Sequence, residues 1–140
     1  MSKNPGQKKK LLLIRQILHE RTDEAHGLST EDIIKILDSK KAFNIKLLGI
    51  EKQTVIADYF VLACGANNTQ VSALADELEF KLSEEGISAD RREGHGASEW
   101  IVIDYNSVIV HVFSRDARAK YNLEKLWADA EDIDITNLLS

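Results

Sequence analysis

Cys64, His95 and His111 are the side chains in this chain best suited to nucleophilic or metal chemistry. A thiol and two imidazoles could serve a zinc site or a cysteine–histidine nucleophile, given a third group to orient the base. Their spacing fits no zinc pattern. Cys64 ends the apolar run 59–64 and reads as a small buried hydrophobe. His95 lies in the glycine-flanked stretch 93–98, where the sequence places no acid to pair with it. His111 stands between Val110 and Val112 and reads as a hydrogen-bonded sheet histidine. Asp132 and Asp134 form a D-x-D pair, which in nucleotidyl transfer would hold Mg²⁺. Here it falls in the acidic stretch 131–140, where a solvated charge run that frays is the plainer reading. Gly65 invites a phosphate-loop reading, because helix N-termini attract anions. Neither G-x-G-x-x-G nor G-x-x-x-x-G-K-[ST] is present, so a glycine turn between strand and helix is the plainer reading there as well.

The elements that would position these residues follow from hydrophobic period. Residues 1–10 are polar, contain the single proline and are expected to be disordered; residues 11–22 can form a short amphipathic helix. The spacing Ser29…Asp32 resembles a capping box, so a helix is expected to start at Ser29 or Thr30 and end near Lys40, burying Ile33, Ile34, Ile36 and Leu37. Strands are expected over 42–50 and 59–64, the second nearly all apolar, as a central strand would be. Asn67 or Asn68 should cap a long helix that buries Val71, Leu74, Ala75, Leu78 and Leu82 and stops at Gly86. A polar strand over 87–92 should follow. Residues 116–121 and 123–130 read as helical. The divisions are therefore an extension over 1–28, a folded domain over 29–130 and an acidic tail over 131–140.

The best-defined unit is the hairpin 100–113. Val, Ile, Tyr and Phe crowd 100–105 and 108–113, and Asn106-Ser107 has the length of a two-residue loop in which Asn tolerates positive φ. That loop pairs Tyr105 with Val108, Ile103 with Val110 and Ile101 with Val112 on one apolar face. The opposite face sets Trp100 against Phe113, Val102 against His111 and Asp104 against Ile109. Two readings of this mixed face stand. It is half covered by a helix, with Asp104 ending a strand, or it is a binding face of aromatics ringed by polar groups. Tyr121 and Trp127 can pack on the hairpin, with Arg118 and Lys125 snorkelling at its edge.

At 140 residues, with 44% hydrophobic and 29% charged side chains, the chain has the composition of one globular domain. Its net charge of −5 suits a basic partner better than a phosphate backbone. One cysteine excludes an internal disulfide and fits a reducing compartment. The run Leu11-Leu12-Leu13-Ile14 is too short for a membrane span or a signal peptide. A cytoplasmic location is expected, with no membrane and no sequence-specific reading of nucleic acid.

Several blocks in order then carry a resemblance. These are ADYFVLACG at 57–65, Gln70-Val71, Ala75-Asp76-Glu77, Glu93-Gly94, WIVIDY at 100–105, VIVHVF at 108–113, A-R-x-x-Y at 117–121 and NLEKLW at 122–127. Together they resemble the Iojap-like ribosomal silencing factors (RsfS) over about 30–128. The turn Asn106-Ser107 departs from the family's usual Gly followed by an acid, and residues 1–28 have no counterpart in short members. The resemblance implies an α/β fold, a mixed β-sheet with packed helices, similar to a nucleotidyltransferase α/β sandwich lacking the catalytic motif. It implies no enzyme and no cofactor. The implied partner is the large ribosomal subunit, bound through ribosomal protein L-fourteen, so that the small subunit cannot join and translation is repressed under starvation. The implied contact residues are Trp100 as anchor, Asp104, Tyr121, Leu123 and Lys125, bordered by His111 and Phe113. Self-association through the apolar face of the free chain is a further expectation. The alternative is a nucleotidyltransferase-like enzyme or nucleotide-binding protein.

Overall fold

The computed structural model describes residues 28–140, so the expectations for 1–10 and 11–22 lie outside the described residues. Helix α1 (Thr30–Ser39) begins where the capping pattern places it: the Ser29 side chain accepts a hydrogen bond from the Asp32 N–H at 3.3 Å. It buries Ile33, Ile34 and Leu37, while Ile36 stays half-buried. Strand β1 (Phe43–Gly49) runs antiparallel to β2 (Tyr59–Gly65), with a register shift between Phe43 and Lys46 and Asn44 in the left-handed region at φ 51°. Helix α2 (Asn68–Glu84) is capped by Asn67, whose Oδ1 accepts from the Gln70 N–H at 2.8 Å, and the expected five side chains face the core. Gly86 follows at φ 81°, a conformation that favours glycine just past a helix end.

Strand β3 (Arg91–Glu93) is shorter than expected, because 87–90 make no ladder. Arg92 ties it to α2 through Asp76 and Glu79. Strands β4 (Trp100–Asp104) and β5 (Val108–Ser114) form the hairpin in the expected register, from Trp100 opposite Phe113 to Asp104 opposite Ile109. Asn106 takes φ 80° in the turn, and the Tyr105 N–H donates to the Val108 carbonyl at 2.9 Å. Helix α3 (Arg115–Tyr121) and the four-residue α4 (Leu123–Leu126) follow; the second ends four residues before the expected 130.

The tail does not fray as expected. Residues Glu131–Ile133 form β6, which pairs antiparallel with β1, setting Leu47 against Ile133 and Gly49 against Glu131. A 3₁₀ turn (Thr136–Leu138) follows, and Ile135 is only 7% exposed. The acidic composition hid a period-two pattern: Ile133 and Ile135 face the core while Asp132 and Asp134 face out.

Together these strands make one six-stranded mixed sheet, ordered β3-β4-β5-β2-β1-β6, with β2 and β5 parallel at its centre. The helix after β2 turns to one face and the helix after β5 to the other. The first face, with Ile101, Ile103, Val110 and Val112, packs on α1 and α2. The second, with Phe60, Trp100 and Phe113, packs under Ala117 and Tyr121 of α3, Leu123 of α4, and Ile50 and Ile56 from the β1–β2 connection. Both faces are thus closed, which fits the apolar run of β2.

Candidate partner-binding site

The mixed face of the hairpin was open to two readings, and the structure covers it. Trp100 is 4% exposed, and His111, Phe113 and Asp104 are buried with it. Its Nε1–H donates to His111 Nδ1 at 3.1 Å, which places the imidazole's remaining proton on Nε2. Rings then pack in sequence across the sheet. Trp100 stacks on Phe113 with centroids 5.0 Å apart and tilts against Tyr121 at 5.1 Å. Phe60 meets His111 edge-on at 4.7 Å and Trp127 at 5.2 Å. Such pairs contribute roughly 0.5–1.5 kcal/mol each beyond the area they bury.

Trp100 is therefore not an accessible anchor, because α3 and α4 lie over it. Nor does the Asp104 carboxylate point to a partner: its Oδ1 accepts from the Asn106 N–H at 2.8 Å and so holds the hairpin turn. Tyr121 and Leu123 are buried as the cover itself, and the Tyr121 hydroxyl donates to Glu99 Oε2 at 2.9 Å. Of the seven expected contact residues, only Lys125 is exposed. Beside it Leu126 is 40% exposed, a large apolar side chain on a short helix. The case for self-association rested on an open apolar face, and that face is closed.

Local sequence explains how the cover is built. Ser114 ends β5 and caps α3, its hydroxyl accepting from the Ala117 N–H at 3.1 Å. Ala117, Arg118 and Tyr121 share the inner face of α3 at helical spacing. Asn122, left-handed at φ 47°, ends α3 and starts α4, turning the chain back across the sheet. Arg118 was expected to snorkel at the edge, yet it is 8% exposed. Its Nη2 and Nε donate to the two carboxylate oxygens of Glu124 at 3.0 and 3.3 Å. Its Nη1 donates to the Asn44 carbonyl and lies 3.4 Å from Cys64 Sγ. Burial alone would depress the pKa of this guanidinium, but its hydrogen bonds to Glu124 and Cys64 and the Glu124 charge outweigh it and hold the pKa above its ordinary value. Sequence reading missed Arg118 and Glu124 as a pair. The available signal was the position of Arg118 between Ala117 and Tyr121, both of which face inward.

The residues considered for chemistry are not assembled. Cys64 pairs across with Phe113, His111 with Leu62, and His95 sits exposed in its loop. Among the described residues no group of three or more His, Cys, Asp or Glu stands close enough to hold a metal ion. Asp132 bonds Lys46 at 3.0 Å, while Asp134 accepts from the Thr136 N–H and hydroxyl, which lower its pKa. Gly65 has a packing reason: a Cβ there would stand 2.9 Å from the Val71 nitrogen, so strand and helix approach too closely for any side chain. No helix among the described residues is long and apolar enough to cross a membrane.

Comparison with known proteins gives the same direction throughout. The family model described as "Ribosomal silencing factor during starvation" matches residues 22–140. The ribosomal silencing factor RsfS of Halalkalibacterium halodurans is 38% identical over 117 residues, 81% of this chain and all of its own. A crystal structure of a Chromobacterium violaceum protein superposes with a TM-score of 0.67 at 33% identity, covering 72% of this chain and 88% of that one. More distantly, the mouse protein named "Mitochondrial assembly of ribosomal large subunit protein 1" is 26% identical over 98 residues, 68% of this chain and 43% of its own. With its mixed six-stranded sheet and packed helices, and with a family match that spans every described element, the chain belongs to the RsfS family of ribosomal silencing factors.

Proposed function

We propose that the protein binds the large ribosomal subunit through ribosomal protein L-fourteen, keeps the small subunit from joining, and so represses translation under starvation. Family membership supports a ribosomal target, and the mouse relative's name points to the large subunit. The net charge of −5 suits a basic ribosomal protein. In this reading the function is regulatory and non-enzymatic.

The observation that carries the choice of surface is the pairing of exposed Lys125 and Leu126 with a rigid aromatic base. A docking surface gains affinity when its supporting shell is already ordered. Lys125 and Leu126 make the contact. Trp100, His111, Phe113, Tyr121 and Leu123 hold the ridge from beneath, and Asp104 fixes the hairpin that carries Trp100. A partner would need an apolar recess for Leu126 and an acceptor for Lys125.

The test is co-sedimentation with separated large and small subunits, comparing wild type with Lys125→Glu/Leu126→Asp. Both side chains are exposed, so the variant should fold as wild type does. Sedimentation with the large subunit alone, weakened about 10- to 100-fold in the variant, is the expected result. Equal binding by the variant would move the contact elsewhere. Failure of wild type to sediment with either subunit at low salt would remove the ribosome reading.

A further inference from the structure

Arg118 joins four parts of the fold at one point. It leaves α3, grips Glu124 of α4 with two hydrogen bonds, reaches the Asn44 carbonyl in the irregular part of β1, and touches Cys64 near the end of β2. Asn44 adopts φ 51° and Asn122 φ 47°, conformations that non-glycine residues occupy at a cost. Four residues cannot hold a helix unaided, so the orientation of α4 depends on tertiary contacts. On its inner side α4 buries Leu123 alone. Beside the guanidinium an open groove of about 480 Å³ is bordered by Lys46, Arg115, Ala119 and Asn122. On that flank the turn is held by the polar contacts of Arg118, while Tyr121 and Leu123 pack on the sheet beneath it.

We infer that Arg118 is a positioning residue for partner binding: by clamping Glu124 against β1 and β2, it holds α4 in the orientation that presents Lys125 and Leu126. The inference rests on the ridge described above as the contact surface. Glu124 immediately precedes the two presented side chains, so a freed Glu124 lets both swing. A planar, five-donor guanidinium suits this role, because its fork fixes direction as well as distance.

The rival explanation is plain core stability, and two variants separate it. Glu124→Gln keeps side-chain size but loses the charge-assisted pair. The expected result is faster amide hydrogen exchange confined to 122–127, a melting temperature within about 3 °C of wild type, and large-subunit binding weakened about tenfold. Arg118→Met/Glu124→Met replaces the pair, whose guanidinium is buried and whose carboxylate is half-buried, by apolar groups, a change expected to keep stability close to wild type. If Arg118 positions the ridge, binding by this double variant is weak although its stability is kept. Wild-type binding by the double variant would overturn the proposal, as would wild-type exchange and affinity in Glu124→Gln. If wild type itself does not bind the large subunit, the ribosome reading fails and the clamp's role in binding fails with it. Binding by wild type and by both variants alike removes the clamp alone.

Discussion

Trp100 shows how burial changes the meaning of a residue. On a bare hairpin, an indole opposite a phenylalanine looks like an anchor for a partner. With α3 in place it is the centre of an aromatic stack and a donor to His111. Truncation would leave a void beneath the ridge. Trp100→Ala is expected to lose about 3–5 kcal/mol of stability, and Trp100→Phe about 1–2 kcal/mol, in urea denaturation followed by far-ultraviolet dichroism. Loss of ribosome binding in Trp100→Ala would then report unfolding as much as lost contact. Lys125 and Leu126 are cleaner probes, because both are exposed and lie outside the buried stack. An unchanged denaturation midpoint in Trp100→Ala would show that the stack holds nothing in place. The role of Asp104 was hidden for a related reason. A carboxylate at the end of a strand can serve a partner or its own turn, and only the position of the Asn106 N–H decides between them.

Elements were legible in proportion to the strength of their local signals. The hairpin register followed from alternation on both strands and an asparagine able to take positive φ, and the structure has it residue for residue. Helices α1 and α2 followed from Ser29 and Asn67 as caps and from apolar residues at helical spacing. What stayed hidden was decided by distant partners. Strand β6 reads Glu-Asp-Ile, a poor strand by composition, and forms because β1 offers it an edge and the core offers room for Ile133 and Ile135. The cover over Trp100 was half legible: helices over 116–121 and 123–130 and the packing of Tyr121 on the hairpin were expected, but short helices carry too little periodic signal to decide between a covered face and a binding face. The buried role of Ile135 is testable. Ile135→Ala should cost about 2 kcal/mol in thermal or chemical unfolding, whereas a fraying tail would show no change.

At the scale of the whole molecule, charge bears on how the proposed partner would be met. Among the described residues the charged side chains largely serve local ends: Arg92 with Asp76 and Glu79, Arg118 with Glu124, Lys46 with Asp132. The excess negative charge lies in residues 28–140, since residues 1–27 are net basic, and there it can steer a basic partner at long range. Association with the large subunit should therefore slow as salt rises, by roughly three- to tenfold between about 0.05 and 0.2 M, with a smaller change in the dissociation rate. Stopped-flow or surface-based kinetics would measure both. A salt-independent association rate would mean that contact is driven by the apolar ridge alone.

The two outermost strands of the sheet, β3 and β6, are three residues long, and each carries charged side chains. An open sheet with long bare margins would template its own growth, since every unpaired N–H and C=O along a margin recruits another chain. Here each margin offers only a few such groups, and Arg91, Arg92, Glu131 and Asp132 discourage a neighbour from lying flat against it. The protein can therefore stay dispersed at high concentration without its central apolar strands seeding fibres.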